Sequence, residues 1–158
     1  MKKIYLTIII ISLLMLVACT SIESTNLSNI KIDNILLGKA IDNVDLSKYK
    51  LTDEYDNEYN YTFKGLQLKT NDSNNIDKIW TNMIEYDFLS IDKENKFENI
   101  DQITDILGSN YKEYWYDKEQ GLKSHEYIDS EAKIKINFVY NGLSNEEKEL
   151  VWAILESL

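Results

Sequence analysis

The spacing of apolar residues divides the chain into three kinds of stretch. From Ile4 to Ala18, 15 positions, apolar residues are almost unbroken. From Thr20 to Asn29 (Thr-Ser-Ile-Glu-Ser-Thr-Asn-Leu-Ser-Asn) the chain turns polar and rich in Ser, Thr and Asn. From Ile30 onward apolar residues recur steadily, now in short periodic runs. Ile100, Ile103, Ile106 and Leu107 follow the 3.6-residue period of a helix, with Asn99 placed as its N-cap and Gly108 as its stop. Ile134, Ile136, Phe138 and Tyr140 alternate with lysine and asparagine, the period of a half-buried antiparallel strand. A second, weaker helical pattern falls on Ile41, Val44 and Leu46.

Strand-like segments follow each helical pattern. After the first come residues 59–63, 66–70 and 76–80, separated by a tight Lys64-Gly65 turn and a polar turn over Asn71–Asn75. After the second come residues 111–116, 124–128 and 133–140. The last segment, 150–155, reads either as a strand or as a helix capped by Asn145-Glu146-Glu147-Lys148-Glu149, and by analogy with Ile79-Trp80 it is taken as a strand. Ile41-Asp42-Asn43-Val44 matches Ile100-Asp101-Gln102-Ile103, a weak internal repeat. Trp80 and Trp152 close the two segments at corresponding places. The expected fold class is α+β: two tandem units of short helix plus antiparallel β-meander, about residues 35–90 and 91–158, within a domain spanning 30–158.

The N-terminal run carries an address. Met1-Lys2-Lys3 supplies a short positive start, and the apolar stretch ends on small residues, as in a secretory signal peptide. A run of 15 residues falls short of the roughly 20 that span a bilayer as a helix. Leu16-Val17-Ala18-Cys19 resembles a bacterial lipobox. That resemblance implies a removable leader over residues 1–18, a diacylglycerol on the thiol of Cys19, and a flexible tether over 19–29. Two acyl chains satisfy the two-signal requirement for stable anchoring. Cys19 is the only cysteine, so no internal disulfide or cysteine metal cluster is available. The implied location is the outer face of the cell membrane. Thr20 stands where an Asp would mark inner-membrane retention in a Gram-negative cell.

Composition narrows the classes of function. All 17 basic residues are lysine, and two of them are Lys2 and Lys3 of the leader. The remaining 15 face 27 acids, a net charge of −12 after cleavage. Such a charge excludes nucleic acid as a partner class, because phosphates demand a basic patch, and it opposes lying flat on anionic lipid. No arginine is present to clamp a carboxylate or phosphate. Abundant Asn, Ile, Lys and Tyr with neither Arg nor Pro looks like the codon bias of an AT-rich genome, which points to a Gram-positive source.

The element order from Ile35 to Leu158, with the repeated Ile-Asp-x-aliphatic start, resembles the tandem helix-plus-sheet domains of the β-lactamase-inhibitor-protein group and of small outer-membrane-assembly lipoproteins. Those families carry a Gly-x-Thr start and a Gly-x-Pro after the helix. Here Gly38 precedes the first helical pattern, and Gly108-Ser109-Asn110 follows the second without proline. The resemblance implies protein binding and no catalysis, and the chain is expected to be a monomer.

Catalytic or metal chemistry finds little footing. His125, the sole histidine, lies beside Glu126 and Tyr127 in a strand-like stretch and reads as a surface residue. No nucleophile-elbow pattern, no phosphate loop and no partner ligands for a histidine zinc site are present. The acids of Asp53–Glu58 lack calcium-loop spacing and read as a solvated loop. The expectation is therefore no enzyme, no metal, and no cofactor beyond the lipid on Cys19. Eleven tyrosines are the distinctive resource. Tyr111, Tyr114, Trp115 and Tyr116 crowd one stretch and are candidate partner contacts, since Tyr and Trp are favoured at interfaces. The expected function is a lipid-anchored module that binds an envelope or extracellular protein. The alternatives are an inhibitor or self-immunity lipoprotein that captures a cationic peptide or protein, and a solute-binding accessory lipoprotein.

Overall fold

A computed structural model describes residues 24–52, 57–143 and 147–158. Residues 1–23, with the expected leader and Cys19, Asp53–Asp56 of the acidic loop, and Ser144, Asn145 and Glu146 lie outside the described residues.

The chain folds as a sheet-rich α+β protein with a single α-helix among the described residues. Among the described residues nine strands appear in order: β1 (Ile30–Ile32), β2 (Tyr61–Phe63), β3 (Leu66–Thr70), β4 (Ile76–Asn82), β5 (Leu89–Ile91), β6 (Lys112–Asp117), β7 (Leu122–Asp129), β8 (Ile134–Asn141) and β9 (Leu150–Ser157). The helix, α1, is Ile100–Leu107 and lies between β5 and β6. Seven strands form one antiparallel sheet in the order β2-β3-β4-β9-β8-β7-β6, and β1 pairs with β5 in a separate two-stranded sheet.

The registers sort the large sheet into two faces. Phe63 stands opposite Leu66, Leu68 opposite Ile79, Ile79 opposite Leu155, Leu155 opposite Ile136, and Ile136 opposite Tyr127. All of these are buried in one cluster, together with Ile100 and Ile103 of α1 and with Ile30, Ile32, Leu89 and Ile91 of the small sheet. The helix and the small sheet thus cover one face, called inner here. Alternate residues of the same strands, among them Gln67, Lys78, Trp80, Trp152, Lys135 and Glu126, are half-buried on the outer face.

Local sequence explains most elements. Asn99 accepts from the Gln102 N–H, and the Gln102 side chain accepts from the Asn99 N–H, a reciprocal capping box. Gly108 ends the helix at φ +82° and donates to the Thr104 carbonyl. Gly65 turns β2 into β3 at φ +76°, and a Cβ there would sit 2.2 Å from the Tyr86 ring, so the turn requires glycine twice over. In the polar turn after β3, Asn71 Oδ1 accepts from the N–H groups of Ser73 and Asn75. Residues 150–157 form a strand, and that strand is central: β9 pairs with β4 on one side and β8 on the other.

Two expectations need correction. The helical pattern at Ile41–Leu46 forms no α-helix; it yields two three-residue 3-10 turns, Ile41–Asn43 and Leu46–Lys48. Asp45 N-caps the second by accepting from Ser47, which interrupts any continuous helix. The polar stretch up to Asn29 is not free from Ser24 onward. Leu27 is 1% exposed in the core, and the Thr25 N–H donates to the Ile128 carbonyl at 2.8 Å. Strands β1 and β5 carry too few residues to announce themselves by period.

Candidate functional site

The stretch expected to contact a partner is divided by its position in the fold. Tyr111 precedes β6 and turns inward. Its ring stacks on His125 at 3.6 Å and tilts against Tyr127 at 5.5 Å. Tyr114 lies half-buried on the outer face, where its hydroxyl donates to Asn137 Oδ1 at 2.8 Å. Trp115 and Tyr116 are 40% and 43% exposed. Trp115 carries the Lys123 ammonium over its ring at 5.2 Å. The four residues are one patch in sequence, but only Trp115 and Tyr116 present broad surface to a partner.

Strand β6 is the last strand of the sheet, with β7 on one side only. Its other backbone edge offers N–H and C=O groups that a guest strand could pair. A register shift between Trp115 and Asp117 bulges the strand at Tyr116. The bulge aims Tyr116 over the outer face, where its ring meets Trp152 edge-on at 5.7 Å. Trp152 in turn lies 6.3 Å from Trp80 on the neighbouring strand. Ser124 and Val139 lie in the register row of Trp152 and are fully buried although they face away from the helix. The outer face therefore carries a row of three aromatic rings, Tyr116, Trp152 and Trp80, ending at the exposed edge.

Beside that row runs a ladder of charge. Lys78 bonds Glu58 at 2.6 Å and lies 3.6 Å from Glu156. Lys135 reaches Glu156 at 3.1 Å and Glu126 at 3.7 Å. Burial acts to lower the basicity of Lys78 and of Lys135, but bonds to Glu58 and to Glu156 respectively outweigh it, so both are held charged above the usual lysine range.

A different polar cluster sits under the inner face near the same edge. His125 is 3% exposed, not at the surface. The register that brings Ile136 and Phe138 into the core does the same for His125, which stands opposite Phe138. Its Nε2 lies 3.3 Å from Glu113 Oε2 and 3.2 Å from the Tyr140 hydroxyl, and that hydroxyl donates to Glu113 Oε2 at 2.7 Å. Lys123 completes the group, donating to Glu113 Oε1 at 2.8 Å. Lys123, then the Tyr140 hydroxyl, hold the Glu113 carboxyl down to about 2. Burial pushes His125 below its usual value against the pull of Glu113, and burial pushes Tyr140 far up. His125 is thus neutral at pH 7, and its Nδ1 is buried without a partner. His125 and Tyr140 are buried in the group, while Glu113 and Lys123 reach the surface.

A cleft lies at the far end of the sheet, where β4 ends and β9 begins. It encloses about 540 Å³ between Met83, Ile84, Phe97 and Leu150, and its rim carries Asp87, Glu98, Glu147 and Glu149 against a single lysine, Lys96. Leu150 and the helix N-terminus are joined there: the Leu150 N–H donates to the Glu98 carbonyl and the Ile100 N–H to the Lys148 carbonyl. Sequence reading missed this site. Its residues come from three separate segments, and no local spacing links Asp87 to Glu98 or Glu149.

Among the described residues no group of three or more His, Cys, Asp or Glu side chains is placed to hold a metal ion. No helix among them is long and apolar enough to cross a membrane. No protein-family model, curated protein or solved structure matches the chain.

Proposed function

We propose that the protein is a non-catalytic lipoprotein, lipid-anchored on the extracytoplasmic face of the cell membrane, a monomer whose folded domain binds another envelope or extracellular protein. One observation carries the anchoring: an apolar run of 15 residues ends in Leu16-Val17-Ala18-Cys19, and Cys19 is the only thiol in the chain. Binding is supported by the exposed Trp115 and Tyr116 on a sheet edge whose outer backbone side is unpaired among the described residues. Tyr and Trp give a large contact area at little entropic cost. The two-unit reading of the chain belongs to the same proposal. It is supported by the pairing of β4 with β9, which sets the closing strands of the two segments side by side with Trp80 against Trp152.

Mass spectrometry of membrane-extracted protein tests the anchor. A diacylglycerol thioether on residue 19, and release of a Cys19→Ser variant from the membrane, are the expected results; an unmodified, still membrane-bound Cys19 would sink the reading. Binding is tested by pull-down from solubilised membranes with the wild type and a Trp115→Ala/Tyr116→Ala pair. A partner lost only in the pair supports the edge as the contact.

A second reading is favoured by the acidic cleft. A lining with four carboxylates and one lysine, on a chain of net charge −10, suits capture of a cationic peptide or protein, as in an inhibitor or self-immunity lipoprotein. Capture of this kind weakens steeply with salt and falls in a Glu98→Gln/Glu149→Gln variant. Edge-mediated binding does neither.

A further inference from the structure

We propose that the domain stands on the membrane on the β7–β8 end of its sheet, with the acidic cleft at the opposite end turned away from the lipid. This rests on the lipidation of Cys19 proposed above.

The first described residues are clamped to one end of the molecule. The Ser130 N–H donates to Ser24 Oγ at 2.9 Å, the Thr25 N–H to the Ile128 carbonyl at 2.8 Å, and the Leu27 N–H to Asp129 Oδ2 at 3.0 Å. Asp129 also accepts from the N–H groups of Glu131 and Ala132, so one carboxylate ties the incoming chain and the β7–β8 turn together. Leu27 is 1% exposed, which locks the attachment into the core. The leash to a lipid on Cys19 is therefore not the whole polar stretch. It is the five steps from Cys19 to Ser24, which span about 17 Å when fully extended.

The same end holds the other chain terminus: the Leu158 N–H donates to the Lys133 carbonyl at 2.9 Å. From there β9 runs back eight residues to Leu150, a length of about 24 Å at the rise of an antiparallel strand. Leu150 lines the cleft. The leash is shorter than the strand, so the β7–β8 turn stays beside the lipid surface. The cleft could reach that surface only if the domain lay on its side. The excess of acids opposes that posture on anionic lipid. Standing on the turn leaves the cleft, with its carboxylates, at the greatest distance from anionic headgroups and open to a partner arriving from outside.

The test uses the full chain, lipidated in cells and reconstituted into phosphatidylglycerol–phosphatidylethanolamine vesicles that carry an energy-transfer acceptor on the headgroups. Lipidation consumes the only native thiol, so an introduced cysteine is a unique site for the donor dye. Glu131→Cys reports from the β7–β8 turn and Ile84→Cys, at a position 60% exposed, from the cleft. Both sites are on the surface, and near-ultraviolet circular dichroism checks that each variant is folded. The expected result is energy transfer at least about threefold stronger from residue 131 than from residue 84. Inserting ten Gly-Ser residues between Cys19 and Ser24 should shrink that difference. Equal transfer, or stronger transfer from residue 84, in protein whose mass includes the diacylglycerol overturns the orientation while the lipoprotein reading stands. A mass without the diacylglycerol overturns both.

Discussion

Two polar clusters lie on opposite faces of one sheet, and they behave as different kinds of structure. On the inner face Glu113 meets His125 and Tyr140 beside Phe138, with His125 and Tyr140 almost wholly buried. On the outer face Glu58, Lys78, Glu156, Lys135 and Glu126 form a ladder across four strands and keep contact with water. The outer ladder joins full charges on half-buried side chains, and the cost of desolvating them offsets much of their mutual attraction. The inner group contains a buried imidazole with one nitrogen unsatisfied among the described residues, and the burial of His125 and Tyr140 makes their polar atoms matter. Charge count alone would rank the two the wrong way round.

The largest effect should follow from the apolar neighbour of the inner group. Phe138→Ala empties a fully buried site and should lower unfolding free energy by about 3–5 kcal/mol in denaturant titration. A loss below about 1 kcal/mol would mean that the inner face is not the packed one. Next comes Tyr140→Phe, which removes the hydroxyl that bonds Glu113 and contacts His125; about 1–2 kcal/mol is the expected loss.

The inner group should also set the acid response. His125 has a folded value below its unfolded value of about 6.5. The unfolded chain then takes up the proton first, so stability falls as pH drops below about 6.5. Glu113, held at about 2 in the folded state, contributes stability that is present above about 4.5 and is lost between there and about 2. A His125→Phe variant, if folded, should lose the slope just below pH 6.5 and keep the one below 4.5. An unchanged slope just below pH 6.5 would remove His125 from the acid response.

On the outer face the effects should shrink. Tyr116→Ala removes one edge-on ring contact with Trp152 and should cost about 0.5–1.5 kcal/mol. Lys135→Met should cost less than about 1 kcal/mol, and molar salt should erase the difference. A Lys135→Met loss as large as that of Tyr140→Phe would collapse the contrast between the faces.

Legibility in the sequence followed the range of the interactions. Helix α1 was readable because Asn99, Gln102, the apolar period and Gly108 all act within nine or ten residues. Strand β8 was readable because Ile134, Ile136, Phe138 and Tyr140 alternate. The first helical pattern misled because Ile41 and Val44 share a spacing that two 3-10 turns serve equally well, and Asp45 caps the second. His125 read as a surface residue because its neighbours in sequence are polar; its neighbours in space are Tyr111, Phe138 and Tyr140. Of the four aromatic residues singled out, nothing local told Tyr111, stacked under the sheet, from Trp115, exposed at its edge.

Local and compositional properties were in the sequence by itself: the apolar leader pattern ending at Cys19, the acidic balance, the capped helix, the alternating strands and the tight Lys64-Gly65 turn. The tertiary structure alone decided which strands are neighbours, and so everything that depends on distant partners. It set β4 beside β9 and placed Trp80 against Trp152. It buried Leu27 and His125, and it gathered Asp87, Glu98 and Glu149 into one cleft. The reason is physical: capping, periodicity and turn conformation are settled within a few residues of chain, whereas sheet order and burial depend on contacts between segments a hundred residues apart, such as Leu27 with Asp129.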